Sequence, residues 1–423
     1  MIVAILRGLL GIAFLLGVCW LCSEKRKSIS WPLVAKALGL QVLLALLILK
    51  APYFSQGFDF VARAFAKISE ISLAGSEMIF GGAIVDNNGP VGFVFAARVL
   101  PTIIFFSAVS SLLYHYGILQ KVVKFLATVM RRLLRISGAE SLSAAGNIFL
   151  GQTEAPLLVK PFLNTMTRSE LMSLMTGGMA TIAGSVLVAY IGQLGEEYAS
   201  HFLAASLLSA PAAILAAKML VPETEEFSDS MDLDDNRTSA NALEALANGT
   251  TDGLRLAVNV AGMLIVFTAL IFGINMLLGY GGRIGGLNEV IAANTDGQFT
   301  QLSFEFIMGY ALAPVAWLVG VCSDDMVLVG QLLGKKTVLN EFLAYLDLGA
   351  MKNGGKFAEQ RSIELSTYIL CGFSNFASIG IQIGGIGALA PTRKGLLSKL
   401  GFRALVGGTV ACLLTAAIVG MML

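Results

Sequence analysis

The sequence predicts an all-α polytopic membrane protein. It would have about eight transmembrane helices, two re-entrant helical hairpins of opposite orientation and interfacial helices, arranged as an inverted repeat. Three observations carry this prediction. Of 423 residues, 56% are hydrophobic and only 13% charged, against about 45–50% and about 25% in soluble domains. Apolar runs of membrane-crossing length recur along the chain. Two further apolar segments are interrupted by polar residues, and each is followed by a span with a Gly/Ser/Thr-rich centre. The mean hydropathy of +0.76 agrees. A chain with so few charges cannot clothe a soluble core, so the surplus apolar surface needs lipid.

The uninterrupted runs are 2–22, 33–52, 93–116, 171–192, 202–221, 254–278, 363–389 and 402–422. The first is too long for a signal-peptide core and lacks a small-residue cleavage site, so it is read as span one. Basic clusters set orientation. Lys25, Arg26 and Lys27 follow span one, Lys121 to Arg135 follow span three, and Arg393, Lys394 and Lys399 follow span seven. Both termini outside would place all three clusters in the cytoplasm, with Lys352, Lys356 and Arg361 as exceptions. Phe54, Phe58, Val61, Phe65 and Ile68 recur at helical spacing opposite Asp59, Arg63, Lys67 and Glu70, as expected of a helix in the membrane surface. A second such helix carries Lys121, Lys124, Arg131 and Arg135 on one face. The stretch 223–241, rich in Asp and Glu, reads as an aqueous connector.

The interrupted segments are 143–162 and 304–348. The first holds Asn147-Ile-Phe-Leu-Gly-Gln-Thr-Glu154-Ala-Pro156, and the second has Pro314 early and Gly334 to Glu341 late. Neither has an uninterrupted apolar length that would cross singly. Gly and Pro at the centre suit a chain that enters, turns and leaves on one side, tolerated only where protein or water covers the backbone. The first is followed by Gly177 to Ser185 in span four, the second by Cys371 to Gly380 in span seven. Opposite entry sides make this an inverted repeat, the plan by which many secondary transporters hold substrate between broken helices.

An acid at membrane depth is costly unless paired or hydrated, so Glu154 and Glu341 are functional candidates. Gln152, Thr153, Asn375 and Ser378 add donors and acceptors. The set suits a neutral, hydrogen-bond-rich solute, and an acid pair relaying protons is the other reading. A carboxylate substrate would need a base at that depth, and Lys335 and Lys336 are the nearest. Asn147, Gly151, Thr153 and Thr181 offer hard oxygens and interrupted backbone for a small cation. Arg98, in span three, is read as a packing or snorkelling residue. Cys19 and Cys22 have CxxC spacing but no second ligand pair, which argues against a metal site. The balance of 29 Lys+Arg against 28 Asp+Glu argues against a nucleic-acid partner. No nucleophile-elbow, zincin or P-loop pattern stands in a suitable context, so neither a hydrolase nor an ATPase is expected, nor an enzyme of any kind.

Gly151-Gln-Thr-Glu-Ala-Pro156, Asn340-Glu-Phe342 and Gly372-Phe-Ser-Asn-Phe-Ala-Ser-Ile-Gly380 resemble the signature motifs of the concentrative nucleoside transporter family. The resemblance runs over nearly the whole chain and is closest to bacterial, sodium-coupled members. It implies a homotrimer in the bacterial inner membrane, importing nucleosides such as uridine, cytidine or adenosine with Na+ by an elevator-like movement. It also implies no cofactor beyond the coupling ion. Residues 1–116 would be mainly scaffold, 117–222 the first half of the transport domain and 223–252 an acidic cytoplasmic connector. Residues 253–290 would be scaffold again, and 300–423 the second half of the transport domain. Carried over by motif, Gln152, Thr153 and Glu154 would contact the nucleobase, with Val186 and Phe373 packing or gating. Glu341, Asn375 and Ser378 would hold the ribose. Asn147, Leu150, Thr153, Thr181 and Ile182 would hold Na+, partly through carbonyls, and the polar groups retained there favour Na+ over a proton.

One departure stands out. Gly320-Val-Cys-Ser323 replaces the Gly-Val-Pro-Trp of many relatives, which the reading above places in the second hairpin. A proton-coupled symporter is the near alternative. A channel or an intramembrane enzyme acting on a small polar solute are the alternatives of another class.

Overall fold

The computed structural model describes residues 2–86, 94–227, 239–295 and 297–423, the Ile2 side chain excepted. Every regular element among the described residues is helical. Spans one to three are Ile2–Leu21, Trp31–Lys50 and Phe95–His115. Span four runs as Arg168–Ala180 and Gly184–Leu194, and span five is Ala199–Leu220. Span six is Ala242–Arg283, and span seven is split into Gln360–Leu370 and Phe376–Leu389. Lys394–Gly420 is span eight. Among the described residues, seven helices have the length and apolarity to cross a membrane; span seven is not among them, its second half, Phe376–Leu389, being a shorter apolar helix.

Burial grades inward. The apolar stretch of span four is wholly buried, whereas that of span six is 11% buried. Ile265, Phe272 and Leu277 on span six are among its most exposed side chains. Apolar faces of that size are stable only against lipid or another apolar surface. Span six packs along span three, where Gly249 and Gly253 lie directly on Ile104, Ser107 and Ser111. Span one packs on span eight and span two on span five. Span six also begins earlier than its apolar run. Residues 242–253 are already helical, capped by the Asn241 side chain on the Glu244 N–H at 2.9 Å. Helix therefore occupies the end of the expected connector. Its acidic centre, with Asp229, Asp232, Asp234 and Asp235, lies outside the described residues.

One expectation is corrected here and another is refined. The helix Pro52–Phe80 fully buries Ala62, Ala66, Ser69, Ser72 and Ser76, with Ser72 Oγ 2.7 Å from Thr102 Oγ1 of span three, while Phe58 and Phe65 of the apolar stripe are partly buried and Phe54 and Val61 face outward. Small side chains allow close helix approach where lipid already satisfies the large apolar ones. The correction concerns the segment 304–348. Pro314 sits inside a continuous helix, Phe304–Leu318, and Gly334 inside the next, Met326–Val338. Gly330 and Gly334 press that helix against Gly309 and Met308, so these glycines pack and do not turn. The second hairpin is instead Met326–Val338 with Glu341–Asn353, turning at Leu339 and Asn340. Gly320 to Ser323 precede it and lie outside its turn. The basic helix Ile118–Leu134 is amphipathic as expected, burying Val123, Ala127, Met130 and Leu134. Arg98 donates to the Val85 carbonyl at 2.6 Å, which fits its packing role.

Candidate functional site

The first hairpin starts on a capping box, in which Ser137 accepts from the Glu140 N–H at 3.2 Å. Its base is fixed by a buried ammonium. Lys218 of span five lies 2.6 Å from Glu140 and 3.2 Å from Glu223, and donates to Ser169 at 3.0 Å. Helix Gly138–Asn147 then ends, the chain crosses 148–154, and a single turn, Ala155–Leu158, begins the return. Two bonds seat this tip. Ser206 Oγ donates to the Ile148 carbonyl at 2.8 Å, and the Gly184 N–H donates to the Phe149 carbonyl at 2.9 Å. Gly184 opens the second half of span four, so tip and break are held together.

At the break in span four, helix stops at Ala180. Thr181 and Ala183 are extended before it resumes. Such a break presents the negative end of one half-helix and the positive end of the next. Asn147 faces it from the hairpin, and a Cβ on Gly177 would lie 2.8 Å from the Asn147 amide nitrogen. Both side-chain polar atoms of Asn147 are buried with no hydrogen-bond partner in the protein. An orphaned buried amide is costly, and here it stands against Gly177, whose carbonyl accepts from the Thr181 hydroxyl at 2.9 Å. Thr181, Ile182 and Leu150 are all buried. Neutral hard oxygens of this kind fit a small monovalent cation. Thr153 does not share this setting. It is exposed, and the contact it makes is toward Gly385 of span seven, 3.7 Å from where a Cβ there would stand.

The second hairpin brings Asn340 and Glu341 to its turn. Asn340 caps the return helix by accepting from the Leu343 N–H at 2.9 Å. The Glu341 carboxylate accepts from Tyr190 Oη at 3.1 Å and from Asn375 Nδ2 at 3.0 Å. The other end of the Asn375 amide caps span seven's second half, accepting from the Ser378 N–H at 2.9 Å. Ser378 Oγ in turn accepts from Gln152 Nε2 at 3.0 Å. One polar thread therefore runs from the first hairpin through span seven to the second hairpin and back to span four. Its carboxylate end is walled by Phe342, packed on Phe95 and Tyr190. Glu154 accepts from the Gly151 N–H at 3.3 Å and keeps an exposed face. Val186 is buried in the half-helix after the break, and Phe373 is partly buried. The two breaks touch, with the Phe373 N–H donating to the Thr181 carbonyl at 3.3 Å.

One residue of this region carries no sequence signal, and the two bases the sequence offers are already engaged. Tyr190 sits in an apolar helix, and nothing in its spacing marks it as the partner of Glu341. Lys335 and Lys336 are both committed within the protein. Lys335 pairs with Asp347 at 2.5 Å and Glu305 at 3.2 Å. Lys336 is wholly buried and donates to the Ile369 carbonyl at 3.0 Å and the Cys371 carbonyl at 3.3 Å. Neither is left over for a carboxylate substrate.

Polar side chains gathered on helix breaks and hairpin turns inside an apolar bundle define a secondary transporter. Known proteins narrow this. The profile described as Na+ dependent nucleoside transporter C-terminus matches residues 201–420, its N-terminal counterpart matches 10–83, and a "Gate: Nucleoside recognition" profile matches 96–197. An uncharacterized transporter of Haemophilus influenzae is 40% identical over 99% of this chain and 98% of its own. The human sodium/nucleoside cotransporter 1 is 37% identical over 97% of this chain. The chain spans 63% of that protein and 58% of rat solute carrier family 28 member 3. The structure of CNTnw in an inward-facing substrate-bound state superposes with a TM-score of 0.89 at 35% identity, covering 99% of this chain and 97% of that one. An outward-facing CNTnw structure matches with the same TM-score and coverage. The chain belongs to the Na+-dependent nucleoside transporter family. It is an integral membrane protein, a sodium-coupled nucleoside symporter that works by alternating access.

Proposed function

We propose that the chain imports uridine, cytidine, adenosine or a related nucleoside together with Na+, leaving the nucleoside chemically unchanged. The observation that carries this reading is the thread from Gln152 through Ser378 and Asn375 to Glu341. It offers a carboxylate and amides to vicinal hydroxyls at one end, and the Gln152–Thr153–Glu154 edge to a base at the other. Glu341, Asn375 and Ser378 hold the ribose, Gln152, Thr153 and Glu154 meet the nucleobase, and Val186 and Phe373 line its apolar face. Asn147, Leu150, Thr181 and Ile182 hold Na+, with Thr153 the most peripheral member of the set.

Movement is elevator-like, with the hairpins and spans four, five, seven and eight travelling as one body. The scaffold comprises residues 1–116 and 253–290, within which spans three and six pack most extensively on each other. The assembly is a homotrimer in the bacterial inner membrane with both termini outside. Proteoliposomes test the transport reading directly. Labelled uridine should accumulate under an inward Na+ gradient and not when choline replaces Na+. Accumulation driven by a pH gradient without Na+ would assign the coupling to protons, and single-channel current would make the protein a channel.

A further inference from the structure

Lys336 has no place in the reading above. It lies on the first arm of the second hairpin, wholly enclosed, and its ammonium donates to the Ile369 and Cys371 carbonyls. Those carbonyls belong to the end of the half-helix Gln360–Leu370, where span seven breaks. Carbonyls there have lost their intrahelical partners and carry the negative end of the helix dipole. Past them, Gly372 adopts φ +114°, and Asn375 starts the second half. The Cys371 carbonyl also receives Cys412 Sγ at 2.5 Å from span eight.

The first repeat has the same plan with one difference. Asn147, on the first arm of its hairpin, faces the broken end of the half-helix Arg168–Ala180. There the polar atoms are unpartnered and a mobile cation is called for. In the second repeat the arm supplies its own cation. An ammonium is a compact point charge suited to carbonyl oxygens, and burying it would be prohibitive without them. Its placement also sets Glu341, five residues further on, against Asn375, four residues past the Cys371 carbonyl it grips.

We propose that the Lys336 ammonium is a built-in cation, doing for the break in span seven what the coupling Na+ does for the break in span four. It positions Asn375 and Glu341 for the ribose, a role that rests on the ribose assignment above. Lys336→Met removes charge and donors, whereas Lys336→Gln removes charge but keeps donors. Each is reconstituted as the full chain and assayed for uptake of uridine and 2′,3′-dideoxyuridine. The Na+ dependence of thermal unfolding without nucleoside is measured alongside. Both variants should raise the uridine KM about tenfold or more and narrow the preference over dideoxyuridine, with the Na+ midpoint of the thermal shift within about twofold of the parent.

A Lys336→Gln protein with parental KM shows that hydrogen bonding suffices and overturns the proposal. So does equal weakening of both substrates, or a shifted Na+ midpoint, since either marks general damage. If Lys336→Met does not fold, Lys336→Gln alone decides. Glu341→Gln is assayed in parallel. Should it keep the parental uridine-to-dideoxyuridine ratio, the ribose assignment has failed, and the uridine KM and Na+ midpoint of the Lys336 variants decide the built-in cation by themselves.

Discussion

The Phe373 N–H donates to the Thr181 carbonyl at 3.3 Å, so the breaks of spans four and seven are joined backbone to backbone. The carbonyl belongs to a proposed Na+ residue, and the N–H lies two residues before Asn375, a proposed ribose contact. Drawing Thr181 toward a cation would therefore move the segment that carries Asn375. Under the proposed assignments this joint would be a direct physical route for coupling, each ligand stabilising the arrangement that the other needs.

Thr181→Ala tests the ion side of that joint. The Thr181 hydroxyl donates to the Gly177 carbonyl at 2.9 Å and leaves its lone pairs for a cation. Losing one such ligand, about 1 kcal/mol, should raise the Na+ concentration for half-maximal uptake about fivefold. The uridine KM at saturating Na+ should move by less than about twofold. Uptake measured across a Na+ series decides, and an unchanged Na+ curve would remove Thr181 from the ion site.

Glu341→Gln tests the substrate side. The carboxylate already accepts from Tyr190 and Asn375, and the charge strengthens any bond from a ribose hydroxyl. An uncharged amide also presents N–H groups to those same donors. The variant should bind uridine about 10- to 100-fold more weakly, equivalent to about 1.4–2.8 kcal/mol. Its advantage for uridine over 2′,3′-dideoxyuridine should shrink, since a site built for hydroxyls penalises their loss. Competition uptake with both compounds reads this out, and a retained advantage would reassign Glu341.

Much of this arrangement was legible because bilayer chemistry leaves few alternatives. Apolar runs located the spans to within a few residues at most ends, and the rare polar residues at depth pointed to Gln152, Glu341, Asn375 and Ser378, which the fold brings together. The second hairpin was misplaced because Pro314 and Gly334 look like turn residues in sequence. A proline is tolerated mid-helix where neighbours cover the freed carbonyl, and Gly334 is small because Met308 crosses it. The turn signal that mattered was Asn340, an N-cap. The stripe Ala62, Ala66, Ser69, Ser72 was hidden by the more conspicuous aromatic one, since hydropathy ranks residues by affinity for oil and lipid is oil on every side. Tyr190 and Lys336 act through contacts 151 and 33 residues away in sequence, which no local pattern records.

Gly372→Ala should be among the most damaging single substitutions in the bundle. At φ +114° any side chain is strained. A Cβ there would also stand 2.7 Å from the Met179 carbonyl, whose half-helix it must not displace. Backbone strain of about 1–3 kcal/mol adds to that overlap. The detergent-solubilised variant should unfold several degrees below the parent, and uptake should fall even where protein is recovered. A parental unfolding temperature together with parental uptake would mean that the breaks can separate freely, which contradicts the joint between them.

On the loop after span one, Glu24 accepts from Arg168 through Nε at 2.9 Å and Nη2 at 2.5 Å, and Arg403 approaches it at 2.9 Å. The Arg168 hydrogen bonds hold its carboxyl below the usual range, near 4.3 for an unperturbed glutamate (about). A value lower in the folded than in the unfolded state stabilises the fold at pH above the unfolded value. That contribution fades as pH falls through the folded value. The group is partly in water, so screening limits it to about 1 kcal/mol or less. Glu24→Gln should therefore lower the unfolding temperature by a few degrees or less at pH 7. The gap from the parent should begin to close as pH falls below the unperturbed glutamate value of about 4.3, and close fully once the parent's own carboxyl, held lower by Arg168, takes up its proton. Unfolding temperatures of both proteins from pH 7 to pH 3 measure this. A gap that stays constant across the series would mean that the fork of Arg168 on Glu24 contributes shape and no charge, and span four would then be tied to the loop by packing alone.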